Sequence, residues 1–201
     1  TAIAERTRPL DALLGNMRTV AQMCRAHGVA LASHDDDTVE KANLMAELGC
    51  VISEFPVTLE AAQVAIEQGI MTAMGAPNAM RGQSYSGNLG ARKAHAAGLL
   101  SILAADYHPA AILPAIRILA GQDPAGLPGA AKLATANPAK ALGLTDRGEI
   151  RVGKRADLAL VDADGRVSVT LRGGRVIHAN GTLDLSRMQF GSHVNELLQT
   201  G

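Results

Sequence analysis

The stretch "VALASHDDDTVEKANLMAELGCVISEFPVTLEAAQVAIEQGIMTAMG", residues 29–75, decides the fold. "VALAS" (29–33) reads as a short buried strand. "DTVEKANLMAELG" reads as a helix, with Asp37 or Thr38 as N-cap and Gly49 just past its end. "CVISEF" is then a strand, "TLEAAQVAIEQG" a helix capped by Thr58 and stopped by Gly69, and "IMTAMG" a further strand. The strand ends at His34, Glu54 and Met74 fall about twenty residues apart. That rhythm of apolar strand, polar loop and amphipathic helix predicts βαβ units and a parallel sheet.

The pattern extends in both directions. Upstream, Leu13, Leu14, Met17, Val20, Ala21 and Cys24 mark a helix over 10–26, closed by His27-Gly28. Downstream, "APNAMRGQSYSGN" (76–88) reads as a long loop, "LGARKAHAAG" as a helix and "LLSILAAD" (99–106) as a fourth strand. "AAILPAIRILAG" is a helix in which Pro114 demands a kink or a late start, and "GAAKLATANPAKALGL" is helical with an interruption at Asn137-Pro138. From Asp146 the texture becomes rich in Gly and β-branched residues. Tight turns are expected at Asp164-Gly165 and Gly173-Gly174, between short antiparallel strands. The expected organisation is a barrel portion over 1–145, a small β unit over 146–185 and a tail over 186–201.

Four strand–helix units are half of a (β/α)8 barrel, where chemistry gathers at the C-terminal strand ends. Here those ends carry His34-Asp35-Asp36-Asp37, Glu54, Met74-Gly75 and Asp106. His34 has two even readings: a divalent-metal ligand, or a histidine satisfied by Asp35 or Asp36. One of the three aspartates caps the helix, and another orients His34 or meets substrate. Glu54 reads as a ligand, a substrate contact or a buried partner of a base. Asp106 ends a strand too apolar to hold a carboxylate without reason; it suits metal ligation and acceptance of a proton from an activated water. The loop with Arg81, Ser84, Ser86 and Asn88 offers a guanidinium, hydroxyls and backbone N–H groups to phosphate oxygens. His27, His95 and His178 read as structural or solvated. No HxH, HExxH or P-loop pattern occurs.

Composition excludes several classes. Nineteen basic and nineteen acidic side chains cancel, leaving no field that would select nucleic acid or an anionic membrane. Aromatics at 2% leave no stacking platform. No apolar run reaches the length of a membrane span, and "TAIAERTRPLDALL" lacks a signal-peptide pattern and reads like the interior of a longer chain. Cys24 and Cys50 lack metal or redox spacing and read as reduced thiols of a cytoplasmic protein.

"LASHDDDT", "SEFPVTLEAA", "MGAPNAMRGQSYSGN", "ILAADYHPAAIL" and "NPAKALGLTDRGEIRVGKRADLALVD" together resemble the later half of the PhnM family. These are metal-dependent amidohydrolase-superfamily enzymes of the carbon–phosphorus lyase pathway. The fifth motif is shared across the superfamily; the first four are specific. The resemblance implies a (β/α)8 barrel with a small β-sandwich. It implies hydrolysis of α-D-ribose 1-methylphosphonate 5-triphosphate to the 5-phosphate and pyrophosphate, with a divalent metal, zinc first among them. By this likeness His34 is the ligand after the fifth strand. Asp106 is the ligand and proton acceptor after the eighth. Arg81 and the Ser84–Asn88 loop meet a small anionic ribose-phosphate substrate; Asp35, Asp36 and Glu54 join the pocket by their place at strand ends, not by the likeness. Two positions depart from the family: Tyr85 stands where it has His, and His108 where it has a second Tyr. The family's early HxH pair and bridging residue have no counterpart here. The expectation is therefore a longer parent or self-association, and weak or no activity from these residues alone. A C–N-cleaving amidohydrolase and an inert assembly domain are the alternatives.

Overall fold

The computed structural model describes residues 10–84 and 87–181. The chain divides into two compact units between Gly143 and Leu144, two residues before the expected boundary. The expected tail, 186–201, lies outside the described residues.

The first unit begins with α1 (Leu10–Ala26), followed by β1 (Leu31–His34), α2 (Val39–Leu48), β2 (Cys50–Glu54), α3 (Leu59–Glu67) and β3 (Met71–Gly75). Strand β1 starts later than expected and takes in His34. Of the two candidate caps for α2, Thr38 does the work: its hydroxyl accepts from Lys41 N–H, and Gly49 closes the helix at φ 87°. Thr58 caps α3 in the same way. Then come α4 (Ala76–Arg81), α5 (Ala91–Ala96), β4 (Ile102–Ala104), a 3-10 turn (Pro109–Ala111), α6 (Ile112–Ala120), α7 (Gly126–Lys132) and α8 (Ala136–Ala141).

The four strands run parallel in the order β1-β2-β3-β4, with β1 and β4 outermost. This is the α/β architecture that the strand–helix rhythm predicts. Its core is small-residued: Ala61, Ala62, Ala65, Ala76, Ala79, Ala91, Ala94 and Ala115 are all fully buried. Buried alanines let helices approach the sheet closely. Larger residues, Leu99, Leu103, Ile116 and Leu119, fill the space under α4 to α7. A second cluster joins Ala21 of α1 to Met45, Leu48, Cys50 and Ile70.

Two local expectations are corrected, and one pair of alternatives is decided. Residues 76–81 are helix rather than loop. Pro77 in the first turn and Gly82 at φ 84° bound α4, and the Arg92 side chain donates to the Ala79 and Met80 carbonyls at 2.7 Å each. Pro114 gives the late start rather than the kink, because α6 begins at Ile112 and proline is tolerated in a first turn. The break expected at Asn137-Pro138 falls earlier, between Lys132 and Ala136. Pro138 sits in the first turn of α8, while Asn137 donates to the Ser101 carbonyl at 2.8 Å.

The second unit carries one antiparallel sheet of β5 (Leu158–Val161), β6 (Val167–Arg172) and β7 (Arg175–Ala179), in that order. Both expected turns are present, with Gly165, Gly173 and Gly174 at positive φ. "RGEIRV" is irregular rather than stranded, and Ile150 and Val152 are exposed.

Candidate active site

The C-terminal ends of the parallel strands all point to one rim. Three non-glycine residues there adopt left-handed backbone: Asp35 (φ 53°), Phe55 (φ 53°) and Asp106 (φ 54°). Each follows the end of a strand. Asp35 N–H still donates to the Glu54 carbonyl at 2.9 Å and Phe55 N–H to the Ala73 carbonyl at 2.8 Å, so the ladder runs to the turning residue and stops. Left-handed conformations at such residues cost roughly 1–3 kcal/mol each and persist where surroundings impose them. All three sit at the rim.

His34 ends β1 with its side chain 57% exposed, and its Nδ1 lies 3.1 Å from the Asp35 carboxylate. That contact orients the imidazole and leaves the other ring nitrogen available. The Phe55 ring packs edge-on against the imidazole, with centroids 5.3 Å apart and planes at 76°. Phe55 continues toward β3: a Cβ placed on Gly75 would stand 3.4 Å from its ring and 3.2 Å from Asp106 Oδ2. The Asp106 carboxylate therefore leans over β3 rather than over its own strand. A flat sheet would hold its outer strands about 14 Å apart, three spacings of roughly 4.8 Å. Phe55, packed on His34, and Asp106 both come within 3.4 Å of the position a Gly75 Cβ would take, so His34 at one edge and Asp106 at the other face the same part of the rim.

Asp36 is corrected. Expected at the pocket, it is fully buried. Its Oδ2 accepts from Ser33 Oγ at 2.5 Å and Ser53 Oγ at 2.6 Å, so it is held inside the sheet and not offered to substrate. Glu54 ends β2, half-buried, as the ladder partner of His34. Arg81 ends α4, exposed, and donates to the Tyr107 hydroxyl at 2.5 Å. Ser84 is half-buried and Asn88 exposed, while Tyr85 and Ser86 lie outside the described residues. His108 is exposed and caps the 3-10 turn through its main chain, without a side-chain cap bond. Sequence reasoning missed Phe55 and Tyr107. The available signal was scarcity: in a chain with two Phe and two Tyr, these two both follow strand ends.

His34 and Asp106 suit a divalent cation in kind but not in number. Among the described residues no group of three or more His, Cys, Asp or Glu comes together to hold a metal. They supply part of a shell.

A parallel sheet with a polar rim of this kind is found across one class of hydrolases, and the chain belongs to it: the amidohydrolase family model matches residues 2–178. That superfamily is generally metal-dependent. Within it, the chain is similar to the alpha-D-ribose 1-methylphosphonate 5-triphosphate diphosphatase of Escherichia coli (strain K12). The two are 50% identical over 147 residues, which is 72% of this chain and 39% of the relative. The chain thus spans about two fifths of that relative's length. The fold is similar to N-acetyl-D-glucosamine-6-phosphate deacetylase from Mycobacterium smegmatis, with a TM-score of 0.61 at 19% identity, over 82% of this chain and 52% of that one. It is also similar to the beta-aspartyl dipeptidase of Fervidobacterium islandicum, with a TM-score of 0.62 at 17% identity, over 88% and 55%. No described helix is long and apolar enough to cross a membrane.

Proposed function

We propose that these residues are the later part of a hydrolase that cleaves α-D-ribose 1-methylphosphonate 5-triphosphate to the 5-phosphate and pyrophosphate. The observation that carries this is the 50% identity over 147 residues to a diphosphatase of that substrate. His34 and Asp106 would hold part of a divalent cation's shell, with zinc as the proposed ion. Such a cation would supply Lewis-acid charge beside the phosphoryl group and acidify the attacking water. Asp106 accepts that water's proton. Arg81 meets phosphate oxygens through its planar fork, with Tyr107 fixing its direction. Asp35, Glu54, Ser84, Tyr85, Ser86, Asn88 and His108 complete the substrate contacts, and the proposed compartment is the cytoplasm.

The incomplete donor set favours a second reading for these residues alone, an inert assembly module. Strands β1 and β4 are outermost in the sheet, and we propose that further chain or a second copy pairs with them. Pyrophosphate release from the triphosphate, measured with metal content, separates the readings. Turnover with bound metal is the expected result for a protein containing this chain joined to the missing ligands. Removal of an acyl or amino group, with the triphosphate untouched, overturns the diphosphatase reading in favour of C–N chemistry.

A further inference from the structure

Behind the rim lies a buried charge cluster that the proposed chemistry does not use. Ser33 and Ser53 are ladder partners on β1 and β2, both buried, and both donate to one oxygen of Asp36. The other oxygen, Oδ1, is buried without a hydrogen-bond partner, and Lys41 Nζ stands 3.6 Å from it as counter-charge. A buried carboxylate is retained only where such partners compensate its lost hydration. Lys41 does more than neutralise. Its ammonium donates to the His34 carbonyl at 3.0 Å and to the Asp35 carbonyl at 2.6 Å. Two successive carbonyls at the end of β1 are thus tied to one cation, itself held by a carboxylate locked between two strands.

We propose that Asp36 and Lys41 are positioning residues. Lys41, aligned by buried Asp36, clamps the His34 and Asp35 carbonyls, and so holds His34 against Phe55. The clamp spans the residue whose backbone is left-handed, Asp35, and keeps its carboxylate on His34 Nδ1. For metal binding, the inference rests on His34 being a ligand, as proposed above; for ring placement it stands by itself.

The test uses the Asp36→Asn/Lys41→Met double variant of the chain, which removes both charges together and leaves no ion buried alone. Circular dichroism establishes that it folds. Nuclear Overhauser contacts between the His34 and Phe55 rings are expected to be lost. Co(II) affinity, read by chelator competition, is expected to fall roughly 10- to 100-fold, as for other residues that orient a ligand. A folded double variant that keeps both the ring contacts and an affinity within twofold overturns the proposal. Should the double variant not fold, Ser53→Ala removes one Asp36 donor and is read by the same two measurements. His34→Ala separates the two readings. The Co(II) titrations are run at concentrations that populate the partial shell of the chain, and unchanged affinity in His34→Ala overturns the ligand role. The ring contacts then decide the clamp.

Discussion

Gly75 shows how one residue sets the rim. Its φ is unexceptional, yet a methyl group there would press on the Asp106 carboxylate while resting against the Phe55 ring. In a protein that joins this chain to the remaining ligands, Gly75→Ala is expected to displace Asp106 and lower pyrophosphate release at least tenfold, with a stability change of only about 1–2 kcal/mol. Turnover and denaturant midpoint, measured side by side, check this. Cys50 makes a second residue-scale case. Burial pushes its thiol up to about 11, and the negative charges of Asp36 and Cys24 add to the shift. Thiolate is the reactive form, so at pH 8 the folded chain should alkylate at half-buried Cys24 while Cys50 stays intact. Mass mapping after brief iodoacetamide treatment reads the order; equal labelling contradicts it.

At the scale of elements, α4 is the instructive one. Its sequence, "APNAMR", looks like loop because six residues are too few to show a helical period. Its order comes from outside: Asn78 Oδ1 accepts from Ala91 N–H at 2.8 Å, and Arg92 covers the last carbonyls. Arg92→Ala is expected to cost roughly 2 kcal/mol through two lost charge-assisted bonds and to make the chain near Arg81 more sensitive to protease. Urea midpoints and limited proteolysis test it. In the small sheet, the Gly173 N–H and the Arg155 side chain hold the Asp157 carboxyl below its ordinary value of 3.8. A depressed folded pKa contributes stability above about pH 4 that is lost as pH falls through the lowered value. Asp157→Asn should therefore unfold at lower temperature than the parent at pH 7. The difference should shrink as the pH falls below 3.8, as seen in thermal melts from pH 7 into the acid range.

For the whole molecule, the limiting fact is the number of cation donors. Two strand ends supply His34 and Asp106, and no described cluster reaches three. These residues alone are expected to hold well under one equivalent of zinc after dialysis. Elemental analysis of the purified chain is the check, and one tightly held equivalent would contradict the partial shell. Among the described residues no strand pairs with the outer edges of β1 and β4, which makes association the expected state of such a chain. Light scattering that gives a monomer at all concentrations would contradict that.

The strand–helix rhythm, the caps at Thr58 and Gly49, the change to antiparallel sheet after Asp146, and the placement of His34 and Asp106 near strand ends are all legible in the residues themselves. Those features rest on local causes: side-chain period, N-cap oxygens and the backbone freedom of glycine. What those residues touch was set by tertiary contacts. Asp36 reads in sequence like its neighbours Asp35 and Asp37, yet Ser53, seventeen positions on, draws it inside. Phe55, Gly75 and the leaning Asp106 meet because parallel pairing sets four separate strand ends side by side. Contacts between residues far apart in the chain depend on sheet register and helix packing, and neither is written in a local pattern.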